Sequence, residues 1–134
     1  MFKKILLLCS LLCSASLFAN TVDTKTAVYT AKDKKIVVSQ QNPTFTIQLS
    51  SNPSTGFSWK LVKYDDKLIS LVDHKFIQPQ NKKMMGAPGY ETWTFKAIKA
   101  HYYVNQVGHV VLQYARPWTK DGASKTTFMI VVKK

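Results

Sequence analysis

Few residues of this chain are of the types that support catalysis or bind metals. Its histidines are His74, His101 and His109. No two of them have the four-residue spacing of helical zinc sites. Asp65 and Asp66 are neighbours, and neighbouring side chains in a strand or turn point apart, so they indicate a turn and not an acid–base pair. Ser54 has Gly56 after it but Asn52, not glycine, before it, so it does not form a nucleophile elbow. We therefore expect neither an enzyme nor a metal or cofactor site.

Both cysteines lie within the first 13 residues, in a segment laid out like a secretory signal peptide. Two lysines precede an apolar run over Ile5–Leu12, and mostly small residues follow as far as Ala19. The run is too short to span a bilayer. We predict a signal peptide over residues 1–19, with cleavage near Ala15 as the alternative, and export to the periplasm or secretion.

The remaining residues, 20–134, have the length of one domain with a single hydrophobic core. They contain no cysteine, which rules out a disulfide framework or a thiolate nucleophile in the exported chain. The full chain carries a net charge of +12, almost all from lysine. These lysines are scattered along the sequence, whereas nucleic-acid-binding elements concentrate basic residues among aromatic ones. We expect no nucleic-acid partner and interpret the charge mainly as favouring solubility and protecting strand edges, and secondly as steering a partner.

Alternating apolar residues predict strands along most of the chain, and helical periodicity is sparse. The strands are centred on Phe45–Leu49, Phe57–Leu61, Trp93–Ala97, Val110–Tyr114 and Phe128–Val132, with weaker ones near Ala27–Ala31, Ile36–Ser39 and Leu68–Ile77. Turn signals separate them at Asn42–Pro43, Asn52–Gly56, Asp65–Asp66, Gln78–Pro88 and Lys120–Ser124. This pattern predicts an all-β fold, an immunoglobulin-like antiparallel β-sandwich of seven to eight strands. Trp59 and Trp93, with apolar neighbours two residues away, are predicted core residues.

Three segments between these strands have the composition of stiff or exposed loops. In Asn52–Phe57, proline fixes one backbone angle and glycine allows a sharp turn. Gly86–Gly89 contains two glycines, an alanine and a proline, and Arg116–Trp118 contains a proline followed by a tryptophan. We expect Trp118 to be exposed, and Arg116 to be either a solvated rim charge or a brace for its loop. Loops of this kind cluster at the ends of a sandwich, which predicts a binding surface.

The three loop motifs resemble the signature loops of the chagasin family, which inhibits papain-like cysteine proteases. They read NPSTGF, then GAPG with a tryptophan four residues after its last glycine, then RPW, in the family's order and spacing. The resemblance extends from about Phe45 to Val132. It implies a sandwich whose three loops form a wedge in the protease cleft, with the first loop at the catalytic cysteine of the enzyme.

Carried over to this chain, the resemblance assigns the protease contacts to Asn52, Pro53, Ser54, Thr55, Gly56, Phe57, Gly86, Ala87, Pro88, Gly89, Tyr90, Arg116, Pro117 and Trp118. Two positions depart from the family pattern: Ser54 stands where threonine is frequent, and Pro88 stiffens the second loop. The implied partner is a papain-like cysteine protease, bound by a monomer without stable membrane insertion. The alternatives are an exported adhesion module that recognises anionic glycans or membrane, and an envelope structural domain.

Overall fold

The structure is a computed structural model that describes residues 25–80 and 86–134. The predicted signal peptide and residues 81–85 of the predicted Gln78–Pro88 loop lie outside the described residues. The strands are β1 (Ala27–Tyr29), β2 (Lys35–Val38), β3 (Thr44–Ser51), β4 (Ser58–Tyr64), β5 (Ile69–Ile77), β6 (Gly89–Ala97), β7 (Gln106–Arg116) and β8 (Thr119–Val132). Within these ranges the helical structure is one 3-10 turn, Pro53–Thr55, and no helix is long and apolar enough to cross a membrane.

The eight strands form two four-stranded sheets, which confirms the predicted sandwich. Sheet A has the order β1-β3-β6-β5, and sheet B has the order β2-β8-β7-β4. The strand pairs are antiparallel as predicted except at two edges, where β1 runs parallel to β3 and β2 runs parallel to β8. After β1 the chain turns at Thr30–Asp33 and crosses from one sheet to the other, so the two short strands do not pair with each other. Apolar alternation reports which face is buried and carries no information on strand direction.

The core consists of the inward-facing side chains of both sheets. Phe45 and Phe95 are completely buried at its centre, and their rings stack with centroids 5.6 Å apart. The predicted alternations of β3, β6 and β8 are confirmed, because each contributes every second residue to this core. Trp93 is buried as predicted. Trp59 is not: it lies half-buried at the margin of the core, because its strand, β4, is an edge of sheet B.

The predicted turn at Lys120–Ser124 is part of strand β8 instead. The chain reverses earlier, at Pro117–Trp118, and β8 pairs with β7 on both sides of an irregularity. There, residues 120–123 stand opposite the single residue Ala115, with Gly122 at a φ of 71°. Glycine and polar residues suit a bulge as well as a turn. The sequence signal at Lys120–Ser124 therefore marks a bulge within β8 and not a reversal of the chain.

We expect Phe95→Ala to destabilise the domain strongly, because it leaves a cavity next to Phe45 at the centre of the core. The free energy of unfolding should fall by about 3–5 kcal/mol. Lys96→Ala is the matched control, since Lys96 is the next residue of β6 and is exposed. Urea unfolding followed by circular dichroism measures both. Equal shifts of the two midpoints would contradict the assigned core.

Candidate functional site

The sheet registers bring the three predicted loops to one end of the sandwich. The first loop, residues 52–57, joins β3 to β4; the second, from Gly86, leads into β6; the third, residues 116–118, joins β7 to β8. Ser51 pairs with Gly89 across β3 and β6, which places the stems of the first and second loops side by side. Ser58 pairs with Ala115 across β4 and β7, which does the same for the first and third loops. The first loop therefore lies between the other two.

The first loop is closed by its own hydrogen bonds. The carbonyl of Asn52 accepts from the backbone N–H of Thr55, at 3.1 Å, and from its hydroxyl, at 2.7 Å. The hydroxyl of Ser54 donates to Asn52 Oδ1 at 2.6 Å. Pro53 opens the 3-10 turn, and Gly56 closes it with a φ of 80°, a left-handed conformation that favours glycine. The loop is thus held in one shape before anything binds to it.

Asn52 also ties the first loop to its surroundings. Its side-chain Nδ2 donates to the carbonyl of Gly86 in the second loop at 3.2 Å. Its backbone N–H donates to the hydroxyl of Tyr114 on β7 at 3.0 Å. Because the Ser54 hydroxyl bonds to Oδ1, both the nitrogen and the oxygen of the Asn52 side-chain amide have hydrogen-bond partners. One side chain thereby fixes the distance between the first and second loops.

Arg116 and Trp118 join the third loop to the first. Arg116 Nε donates to the carbonyl of Thr55 at 3.0 Å, and its guanidinium carbon lies 4.4 Å from the centre of the Phe57 ring. The indole of Trp118 lies over Gly56, where an added Cβ would be only 2.7 Å from Trp118 Cη2. Of the two roles expected for Arg116, the structure therefore shows the brace and not a free rim charge. The three loops form one connected surface.

The exposed part of this surface contains few ionisable groups. Trp118 retains 72% of its accessible surface, which confirms the predicted exposure, and Tyr90 retains 45%. Pro53, Ser54 and Thr55, at the tip of the first loop, are exposed as well, and so are Gly86, Pro88 and Pro117. Asn52, Gly56, Phe57, Ala87 and Arg116 are half-buried. Gly89 is buried in β6, where an added Cβ would collide with the carbonyl oxygen of Ile77, so the close approach of β5 and β6 requires glycine at this position.

A buried carboxylate beneath the loops was not predicted from the sequence. Glu91 is 4% exposed, and its Oε1 accepts from the Ser51 hydroxyl at 2.7 Å and from the Trp59 backbone N–H at 3.0 Å. Its Oε2 lies 2.9 Å from His74 Nε2, and the His74 ring stacks on Trp93 at 3.6 Å. Ser51 precedes the first loop and Trp59 closely follows it. Glu91 therefore links both ends of the first loop to β6, the strand that follows the second loop.

A signal for Glu91 did exist in the sequence. It is the only glutamate of the chain, and it stands two residues before Trp93, in step with the apolar positions of a strand. An acidic residue at such a position points into the core and needs hydrogen-bond donors there. Its partners come from β3, β4 and β5, which are distant in the sequence. The donors were therefore not identifiable without the fold.

The composition of the loop tips is suited to binding. In residues 25–80 and 86–134 no three histidine, cysteine, aspartate or glutamate side chains come together as they would around a metal ion. The side chains at the loop tips are proline, serine, threonine and tryptophan, on a backbone fixed by hydrogen bonds. Such a surface can fill a cleft by shape and apolar contact.

Comparisons with known proteins agree with this geometry. Residues 39–132 match the family described as Chagasin family peptidase inhibitor I42. Chagasin of Trypanosoma cruzi is 33% identical over 93 residues, which cover 65% of this chain and 77% of chagasin.

Solved structures share the fold. A cysteine protease inhibitor of Entamoeba histolytica superimposes with a TM-score of 0.65 at 26% identity, covering 81% of this chain and 96% of that one. PbICP-C, in its complex with falcipain-2, has a TM-score of 0.53 at 18% identity, covering 82% of this chain and 91% of its own, a likeness of fold alone. With a family match over most of its sandwich, this chain belongs to the chagasin family and is a peptidase inhibitor, not an enzyme.

Proposed function

We propose that this protein inhibits papain-like cysteine proteases reversibly, by inserting its three loops into the active-site cleft and excluding substrate. The observation that carries the proposal is the connection of the first loop to both of the others, through Asn52–Gly86 and through Arg116–Thr55. In this mode the exposed tip, Pro53–Thr55, lies against the catalytic cysteine of the protease. The second loop and Trp118 cover the two sides of the cleft.

The mechanism needs no reactive group on the inhibitor. A backbone that fills the cleft excludes substrate sterically, and a loop already held in its bound shape loses little entropy on binding. An interface of about 1,600 Å² with a well-packed aromatic anchor reaches nanomolar dissociation constants, about −12 kcal/mol. Trp118 has the size and exposure of such an anchor.

The relatives support the choice of target class. The Entamoeba histolytica structure is named a cysteine protease inhibitor, and PbICP-C was solved in complex with falcipain-2. Neither supports the alternative of an adhesion module. We also propose that residues 1–19 direct export and that residues 20–134 act as a monomer in the periplasm or outside the cell. Support for export comes from the basic start and short apolar run of the sequence.

Papain titrated with residues 20–134 should lose its activity towards a small fluorogenic peptide at nanomolar inhibitor. Trp118→Ala should then raise the inhibition constant about 30-fold or more, equivalent to about 2 kcal/mol, because it removes the aromatic anchor. Tyr103→Ala is the matched control, since Tyr103 is an aromatic that is 97% exposed in the β6–β7 connection, at the other end of the sandwich. Equal constants for both variants would remove Trp118 from the interface, and no inhibition of papain at micromolar protein would contradict the proposed target class.

Gly56→Ala and Gly86→Ala should separate the effect of backbone strain in a loop from the effect of displacing Trp118. Both glycines have a φ of 80°, so each substitution should cost about 1–2 kcal/mol of stability. The new Cβ at position 56 would also collide with Trp118, whereas no atom of the described residues lies within 4 Å of one at position 86. We expect similar urea midpoints but a much larger rise in the papain inhibition constant for Gly56→Ala. Equal rises would mean that the position of Trp118 does not govern binding.

Ser54→Thr should retain or improve papain inhibition, because threonine keeps the hydroxyl that donates to Asn52 Oδ1. Ser54→Ala should weaken it severalfold, since removal of that donor frees the Asn52 side chain that holds Gly86. Inhibition constants of the two variants measured side by side test this. A large loss with threonine would show that the tip of the first loop has a different register in the cleft.

A further inference from the structure

Lysines that are scattered in the sequence come together on the outer face of sheet B. Lys60 on β4 pairs with Gln113 on β7, and Gln113 pairs with Lys125 on β8. The three residues form one row across the sheet. Leu112, next to Gln113 in the chain, is completely buried, so the row faces solvent. Lys60 and Lys125 are both exposed.

A bulge in β4 adds a third lysine to this face. In a regular strand, Lys60 and Lys63 would point to opposite sides of the sheet. The register shifts between Leu61 and Lys63, so that Lys63 pairs with Val111. Gln113 and Val111 are two residues apart on β7 and therefore share a face, and their partners Lys60 and Lys63 do so too. The extra residue, Val62, therefore places the side chains of Lys60 and Lys63 on the same face of the sheet.

On the opposite side of the sandwich, one of the lysines that the structure describes is paired with a carboxylate. On the outer face of sheet A, Lys75 forms an ion pair with Asp73 at 2.8 Å, which lowers the pKa of the Asp73 carboxyl. Thr46 and Thr94 hydrogen-bond there through their hydroxyls. In contrast, within the described residues, no carboxylate lies within 4 Å of the three lysines on sheet B. Their charge is available to a partner.

This face continues into the third loop. Lys60 and Lys120 line one shallow depression together with Arg116, Pro117 and Trp118. A protein whose cleft receives Trp118 must therefore lie close to Lys60 and Lys120. We call Lys60, Lys63, Lys120 and Lys125 the lysine face.

We propose that the lysine face docks on acidic side chains of the target protease beside its active-site cleft, and so selects proteases that carry them. The inference rests on the proposed function, because it needs the loops in the cleft. Exposed ion pairs contribute little to affinity at equilibrium. Complementary charge instead steers the encounter and raises the association rate, by tenfold or more at low salt. Selection should therefore appear in the association rate and fade as salt screens the charges.

The test compares two triple variants with equal net charge. Lys60→Gln, Lys63→Gln and Lys125→Gln together remove most of the lysine face without touching the loops. Lys32→Gln, Lys96→Gln and Lys99→Gln remove three exposed lysines elsewhere. Association and dissociation rates are measured by progress curves on two papain-like proteases that differ in the sign of their net charge, at about 10 mM and 300 mM salt. Urea midpoints verify that both variants are folded.

We expect the lysine-face variant to associate about tenfold more slowly with the acidic protease at low salt, with an unchanged dissociation rate. The difference should nearly vanish at high salt, and the control variant should change at most about twofold. Equal slowing of both variants would reduce the effect to net charge and overturn the proposal. An unchanged rate for the lysine-face variant would overturn it as well.

The failure of the proposed function has a different signature. If the wild type inhibits neither protease at any salt concentration, both proposals fall together. If it inhibits both and the variants behave alike, only the docking proposal falls. A parallel sedimentation assay with anionic phospholipid vesicles tests whether the lysine face binds a membrane instead of a protease. Vesicle binding lost in the lysine-face variant, without any change in protease association, would assign the face to membranes and overturn the proposal.

Discussion

The geometry of the end of the sandwich that carries the three loops depends on one buried carboxylate. Removing the charge of Glu91 from water is costly unless hydrogen-bond donors replace the water. Those donors come from Ser51, Trp59 and His74, so the carboxylate is satisfied only when β3, β4 and β5 lie in their observed positions around β6. Apolar side chains would tolerate a slight shift of one strand against another. A hydrogen-bonded carboxylate does not, and the roots of the first loop are therefore fixed more tightly than hydrophobic packing alone would fix them.

Above this anchor, the loops hold each other in place. Asn52 reaches the second loop, and Arg116 reaches back from the third to the first. All of these contacts use backbone carbonyls as acceptors, so they depend on loop shape more than on the identity of the exposed side chains. The division of roles follows from this. Half-buried Asn52 and Arg116 preserve the shape with the help of the Ser54 hydroxyl, and Pro53 and Trp118 are exposed at the surface of the loops.

Much of the fold and of the loop surface could be predicted from the sequence, because both rest on local signals. Alternation predicts the strands, and proline and glycine predict the stiff loops. What could not be predicted depends on pairing between distant segments. The parallel edges, the bulge opposite Ala115 and the donors around Glu91 are of this kind. The lysines are scattered along the sequence, and the bulge at Val62, which brings two of them to one face, has no clear sequence signature.

The direction of the outer strands determines where the protein can be attached to a support without covering its loops. β1 runs parallel to β3 and pairs with the half of it that is remote from the first loop, while β8 starts at the third loop and runs away from it. Lys25 and Lys134 therefore both lie at the end of the sandwich opposite the three loops. A bead or a surface attached to the side chain of either residue would leave the loops pointing away from the attachment.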